Sequence, residues 1–360
     1  MTALDFVVSL CSRPWPEGLS VPPDFIVPVA NEAARQRVAV WILSRIAEQN
    51  CSEHWASDLA SHLRPVRMAA LRRNLVLRDS FCRVATTLSQ ADVNTVALKG
   101  VDLMLNLYPA LEFRPAGDID ILVSPPDASK AFELLSALPD AHPLHEQCSA
   151  SATEAFAPHY APLAIGDTVL ELHFSLFGGA SPYNPNLSTD ELKAHLVRRS
   201  CTGVAYFSPD SELSLYHLSA HAVKNRHNIG LSVGWLLDIA LLFDRNADRL
   251  LQLLDSVMSW NPTLVNPMTK VWLLAANLSL PASRNTLLSC LGRSCLRLDA
   301  RALRRQGLAV WTLWKLRRAA ALLAQSCRFL FGSAAPHGMP LSRRFSEALS
   351  FLKSRIIQSK

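Results

Sequence analysis

The sequence predicts an α+β protein: an N-terminal helical arm, a small core in which strands mix with helices, and a C-terminal helical domain. Three observations predict it. Between residues 91 and 178, short β-branched runs alternate with apolar helical stripes. On either side of that stretch, apolar residues recur at i, i+3 and i+4. The length, 360 residues, suits about two domains, and 49% hydrophobic with 18% charged residues excludes a disordered or collagen-like chain. The boundaries fall at 1–90, 91–178 and 179–360, with a basic tail over 291–360.

Five prolines, at 14, 16, 22, 23 and 28, leave room for one short helix near Leu4–Cys11 before an extended lead-in. From residue 30 to 90 the chain reads as helix. Val38, Trp41, Ile42, Arg45 and Ile46 keep the helical rhythm, with Arg35, Arg37 and Glu48 on other faces. A long second helix is expected from Pro65, a residue suited to a first turn, to Gln90. Its stripe is Leu71, Leu75, Leu77, Phe81, Val84 and Leu88.

The period changes at Asp92. Residues 93–98 read as a strand ended by Lys99-Gly100, and Val101–Tyr108 reads as a helix. Residues 118–123 are a second strand, closed by Ser124-Pro125-Pro126, and a helix follows over Asp127–Leu138. A loop is expected at 143–151. Two further strands, near 155–165 and 168–176, flank Gly166-Asp167, a turn signal. Residues 178–190 are loop-like, and from Pro209 helical patterns resume near 210–224, 232–243, 247–259, 268–278 and 303–331.

Charge is unevenly placed. Residues 1–290 hold 22 Lys/Arg against 28 Asp/Glu, whereas 291–360 hold 14 against two, a net charge of +12. Such a tail suits an anionic partner, RNA included, or is simply a solvated helix face. Within it, Trp311 and Trp314 interrupt the basic run Arg301–Arg328, which fits either core packing or contact with a membrane surface or nucleic acid. Eight scattered cysteines form no CxxC pair; Cys290 and Cys295 are spaced too loosely to argue for zinc. Free thiols in a reducing compartment, no signal peptide and no apolar run of transmembrane length give a cytoplasmic expectation.

The chemistry concentrates in two stretches. On a strand, alternation points Asp118 and Asp120 to one face while Ile119 and Ile121 enter the core. Two carboxylates about 7 Å apart on one strand face repel unless a cation lies between them. Mg²⁺ prefers carboxylate oxygens together with phosphate oxygens. About twenty residues upstream, the Lys99-Gly100 turn opens a helix whose N-terminal N–H groups suit phosphates, and Lys99 adds a point charge. A third carboxylate, Glu171, shares a strand face with His173 and completes the cluster if its strand neighbours that of Asp118 and Asp120. Glu171 would ligate a second metal and help deprotonate an attacking hydroxyl.

The run LKGVDLMLNLYPALEFRPAGDIDILV resembles the signature of the uncharacterised bacterial nucleotidyltransferase family of the DNA-polymerase-β-like superfamily. VLELHFSLF is similar to its E/D-x-H-W strand. LYHLSAHAVKNRHNIGLSVGWLLDIALLF is similar to its helical His-x5-His segment followed by W-x2-D-I-A. The resemblance covers roughly residues 30–250. It implies a mixed-sheet nucleotidyltransferase core, Mg²⁺ or Mn²⁺, and transfer of a nucleoside monophosphate from an NTP, ATP foremost, with release of pyrophosphate. By position, Asp118, Asp120 and Glu171 take the catalytic and metal-ligand roles. Two departures stand out: Lys99-Gly100 replaces the superfamily's usual Gly-Ser or Gly-Gly turn, and Phe174 replaces the strand Trp.

Lys99, Gly100, Arg114, His173, His221 and Lys224 are the expected nucleotide-binding set. Arg114 either meets phosphate or forms a structural salt bridge. Tyr108 reads as packing rather than base stacking. His217, His221 and Lys224 share one helix face, with Arg226 and His227 following; they form either a basic wall toward the triphosphate or an interhelix hydrogen-bonded cluster. Asp238 lies in an apolar helix and needs a partner, expected in His221 or His227. Three functions follow: nucleotidylation of a small molecule or peptide, toxin-like modification of RNA ends, or a non-catalytic nucleotide-binding or interaction protein.

Overall fold

The computed structural model describes residues 2–144, 159–160, 162–177, 181–225 and 231–291. The expected helix near 303–331, the basic tail, Arg226 and His227 lie outside the described residues.

The arm begins with α1 (Ala3–Cys11), whose first turn is closed by a reciprocal pair: the Asp5 N–H donates to Thr2, and Asp5 accepts from the Thr2 N–H. Helices α2 (Ile26–Arg35) and α3 (Ala39–Glu48) follow. Next comes α4 (His54–Ser89), a single helix of 36 residues and about 54 Å. Pro65 is therefore inside α4, not at its start. An interior proline costs about 3 kcal/mol. Upstream of it, Trp55, Ala56, Leu59 and Leu63 are all buried, and burying each large apolar side chain is worth about 1.5–3 kcal/mol, enough to carry the helix through.

Seven strands form one mixed sheet in the order β3-β4-β5-β2-β1-β7-β6. They are β1 (Val96–Leu98), β2 (Ile119–Leu122), β3 (Ala141–Pro143), β4 (Leu163–Ile165), β5 (Thr168–His173), β6 (Leu196–Cys201) and β7 (Val204–Pro209). Helix α5 (Lys99–Asn106) links β1 to β2, and α6 (Ala128–Ser136) links β2 to β3. Gly166, at φ +55°, turns β4 into β5 as its Gly-Asp pair predicts. The sheet does not end at residue 178. The hairpin β6–β7 joins it through a parallel pairing of β7 with β1, a pairing that the exposed, charged pattern of Leu196–Cys201 hides. A short helix, α7 (Thr189–Ala194), precedes that hairpin. The described C-terminal helices are α8 (Ser211–Asn225), α9 (Val233–Arg245), α10 (Leu250–Trp260), α11 (Val265–Ala276) and α12 (Pro281–Leu291).

Strand alternation divides the core in two. Ala97, Ile119, Ile121, Leu170 and Leu172 pack one sheet face against α6 and the C-terminal half of α4, through Leu77, Phe81, Val84 and Leu88. Val96, Leu98 and Leu122, on the opposite face, pack with the arm and the C-terminal helices, including Trp55, Leu59 and Leu63 from the N-terminal half of α4. The arm and the C-terminal helices thus share one core, and it covers the sheet face that carries Asp120.

On α5, buried Asp102 ties β7 to the sheet by accepting from Ser208 Oγ at 2.6 Å and from Asn106 Nδ2 at 2.8 Å. Burial pushes its carboxyl up to about 6, against the hydrogen bonds from Ser208 and Asn106. A raised carboxyl pKa means that the folded state keeps a proton which the unfolded chain has already lost. Stability therefore falls as pH rises from about 4 to about 6, and the loss of about 2–3 kcal/mol persists above that window. Asp102→Asn keeps an acceptor for Ser208 and removes the charge. It is expected to raise Tm by a few degrees at pH 8 and hardly at all at pH 4. Equal shifts at the two pH values in thermal denaturation would refute the assignment.

Candidate functional site

The site forms where β1 turns into α5. Lys99 sits at φ +48°, a left-handed conformation that costs a non-glycine residue about 1–2 kcal/mol. The turn brings its ammonium back over the sheet, where Nζ lies 2.6 Å from Asp120 Oδ1. Gly100 follows because space demands it: a Cβ there would stand 3.2 Å from the Ala116 Cβ. The loop before β2 therefore packs directly on the start of α5.

Pairing places the carboxylates. Asp120 on β2 is opposite Leu98 on antiparallel β1 and opposite Glu171 on parallel β5. Equal alternation in neighbouring parallel strands puts Asp120 and Glu171 side by side, and His173 is opposite Leu122 on the same face as Glu171. His173 Nε2 lies 3.0 Å from Asp120 Oδ1 and 3.4 Å from Glu171 Oε2. Asp120 and His173 are buried, while Asp118, just before β2, and Glu171, within β5, are half-buried.

The titration of these groups follows from crowding. Burial works against ionisation of Asp120, but the Lys99 ammonium and the His173 hydrogen bond hold its carboxyl well below the usual range. Burial likewise opposes ionisation of Glu171, and its hydrogen bond with His173 outweighs this, leaving a net lowering. Asp118 moves the other way, pushed up by burial and then by the Asp120 and Glu171 charges. Burial disfavours the Lys99 ammonium, yet Asp120 and Glu171 keep its pKa above the ordinary value. One ammonium thus faces three carboxylates, a surplus of negative charge that a divalent cation would relieve. The donor atoms of Asp120, Glu171 and His173 lie within 4.8 Å of one another, and Asp118 is not in that compact group.

Other expected nucleotide residues are placed differently. Arg114 is buried away from solvent. Its Nε donates to Asp238 Oδ1 at 2.7 Å, its Nη2 to Asp238 Oδ2 at 2.9 Å, and its Nη1 to the Pro115 carbonyl at 2.9 Å. With its guanidinium occupied in this way, Arg114 is a structural ion pair rather than a phosphate contact. Asp238 correspondingly pairs with Arg114 rather than with His221, while His227 lies outside the described residues. The Tyr108 hydroxyl adds a third donor to Asp238 at 2.7 Å, so its ring packs rather than stacks on a base. Spacing alone did not connect Arg114 to Asp238, because 124 residues separate them. His173 sits among the carboxylates rather than at a separate phosphate position.

Helix α8 does face the site, since its histidines respond to Lys99, His173 and Asp120. They add no positive charge to it. Burial and then the Lys99 charge push His221 down to about 3 and hold His217 well below its ordinary value. His221 packs edge-on to Trp235, with ring centroids 5.4 Å apart, and lies 2.9 Å from Asn225 Nδ2. His217 is edge-on to Phe177, and its buried Nε2 takes no hydrogen bond among the described residues. Lys224 carries its ammonium over the Phe177 ring at 5.9 Å. The histidines of α8 are thus neutral and packed against aromatic rings, and Lys224 carries the charge of this face.

No described helix is long and apolar enough to cross a membrane. Comparison with curated proteins gives no match. Among solved structures, an antigenic nucleotidyltransferase-like protein from Paracoccidioides brasiliensis overlaps at TM-score 0.33 and 15% identity, covering 53% of this chain and 91% of that one. An overlap that loose carries no weight. The family described as uncharacterised nucleotidyltransferase, in contrast, matches residues 28–263, well over half of the chain. That span includes the Lys99-Gly100 turn, the carboxylates of β2 and β5, and the α8 and α9 helices above them, so the chain belongs to the uncharacterised nucleotidyltransferase family and is a nucleotidyltransferase.

Proposed function

We propose that the protein moves a nucleoside monophosphate from an NTP, ATP foremost, to a hydroxyl or phosphate of a small molecule or peptide. The supporting observation is the meeting of Asp120 and Glu171 across paired parallel strands, with Asp118 at the strand entrance and Lys99 opposite. Asp118, Asp120 and Glu171 would hold Mg²⁺ or Mn²⁺, which supplies charge neutralisation of the triphosphate and polarises the α-phosphate. Lys99 holds Asp120 in place and adds positive charge beside the phosphates. The first N–H groups of α5, at Gly100 and Val101, would donate to phosphate oxygens at that helix N-terminus. Glu171 accepts the proton of the acceptor hydroxyl as its oxygen bonds to the α-phosphorus. The bond from the α-phosphorus to the α–β bridging oxygen breaks in line, and pyrophosphate leaves with that electron pair.

The test is thermal denaturation with ATP, GTP, CTP and UTP, each with and without Mg²⁺. Ligand at about 100 times its Kd adds about 2.7 kcal/mol, a rise of a few degrees. We expect a metal-dependent rise with at least one NTP, lost in the Asp118→Asn/Asp120→Asn double variant. No rise with any NTP would count against the reading. The +12 charge of residues 291–360 favours one alternative, modification of RNA ends. Steeply salt-dependent RNA binding, abolished by removing those residues, would support it over the small-molecule reading.

A further inference from the structure

Arg37 belongs to the turn between α2 and α3, 81 residues before Asp118 in the chain. Its backbone is left-handed, with φ +61°. The turn is fixed on both sides. Buried Gln36 accepts the Val233 N–H through Oε1 at 2.8 Å, and its carbonyl accepts the Gly234 N–H at 3.2 Å. Gly234 makes that approach feasible, since a Cβ there would stand 2.7 Å from the Gln36 carbonyl oxygen. The start of α9 thereby holds the α2–α3 turn beside the loop before β2.

From this anchored backbone the Arg37 side chain reaches the edge of the carboxylate site. A Cβ on Gly117 would lie 3.4 Å from Arg37 Nη2, so the guanidinium touches the residue next to Asp118. Arg73, on α4, approaches the same glycine and donates from Nη2 to its carbonyl at 3.0 Å. The charges that act on Arg37 are those of Arg114, Asp118, Arg73 and Asp238. Asp238 is already neutralised by Arg114. Among the described residues, the Arg37 side chain forms neither a hydrogen bond nor an ion pair, and it is exposed. Two guanidiniums therefore converge beside Asp118, and one of them keeps its full set of donors.

We infer that Arg37 is the phosphate-binding residue of this site, gripping the β- and γ-phosphates of the incoming triphosphate and hence the leaving pyrophosphate. The inference rests on the transferase reading for its nucleotide. The recognition itself is general: a planar fork of donors matches phosphate oxygens in pairs, and such contacts are the stronger class of hydrogen bond. Arg37 also takes over what Arg114 does not supply, since Arg114 is occupied with Asp238. Arg73 positions the Gly117 carbonyl and adds charge without facing the ligand alone.

The experiment compares wild type with Arg37→Ala and Arg37→Lys, using calorimetric titration of inorganic tripolyphosphate, ATP and AMP in the presence of Mg²⁺. Arg37→Ala is expected to weaken tripolyphosphate and ATP at least about tenfold and to leave AMP within about twofold. Arg37→Lys should fall between, keeping charge without the fork. Unliganded melting should not change, because Arg37 has no partner to lose among the described residues. Tripolyphosphate and ATP binding equal to wild type in Arg37→Ala would overturn the inference and leave the transferase reading intact. Tripolyphosphate binding that depends on Arg37, in a protein that transfers no nucleotide to any acceptor, would uphold the anion subsite and fail the transferase reading. Failure of wild type to bind tripolyphosphate overturns the inference outright.

Discussion

Asp238→Ala is expected to lower stability by about 3–5 kcal/mol, a fall in Tm on the order of ten degrees. The physical reason is what remains behind. Asp238 is fully buried on α9 and receives three hydrogen bonds, two from Arg114 and one from Tyr108. Without it, a buried guanidinium has no counter-charge and keeps only its bond to the Pro115 carbonyl, and a buried hydroxyl loses its acceptor. Burial alone would lower the Arg114 pKa; the Asp238 charge reverses this and raises it. The Tyr108 hydroxyl is pushed well above its usual range by burial and then by the same carboxylate. An Asp238→Leu/Arg114→Met double variant should recover a large part of the loss, since an apolar pair of similar volume removes both charges together. Denaturant melts of the single and double variants check this. A single variant that melts within about 1 kcal/mol of wild type would contradict the assignment of the pair as fully desolvated.

Asp120→Asn is expected to reduce nucleotidyl transfer by at least about a thousandfold, the scale on which removal of a central charge-stabilising group acts. Asp120 touches more of the site than either other carboxylate. It contacts Lys99 and His173 through one oxygen and stands opposite Glu171 in the strand register. The amide cannot hold a divalent cation as a carboxylate does, and it no longer neutralises Lys99. Asp118 should respond as well. With one repelling neighbour gone, its carboxyl should move down toward the ordinary range, which an NMR titration of the variant would show. Steady-state assay of pyrophosphate release measures the main effect. Activity within tenfold of wild type would exclude Asp120 from the catalytic group.

Much of the site was legible because local pattern and local chemistry coincide there. Asp118 and Asp120 share a strand face by alternation, and the same rule predicts Glu171 beside His173. Only one condition could not be read locally, that β5 pairs with β2, and the parallel register supplies it. The helices from Asp210 onward were legible for the same reason, their stripes being clear. What escaped depends on partners far along the chain. Strand β6 is an exposed edge strand carrying Arg198 and Arg199, so no apolar alternation betrays it, and uncharged β7 is recognised only by its pairing between β6 and β1. Arg37 reads as a solvated face of a helix, because nothing in its neighbourhood shows that α2 ends at Arg35 or that Gly234 accommodates Gln36. Arg114 carries identical chemistry whether it meets a phosphate or a carboxylate. The choice was settled by the loop that buries it against α9.

Helix α4 has a consequence for the autonomy of the catalytic sheet. Its first half is embedded with the arm and the C-terminal helices, and its second half backs the strands. A single uninterrupted rod therefore belongs to both cores, so neither can loosen without exposing apolar surface on the other. The described residues are therefore expected to unfold as one cooperative unit, with the sheet not separable as a module. Any evolutionary exchange of arms within such a scaffold must carry along a helix whose two ends answer to different neighbours.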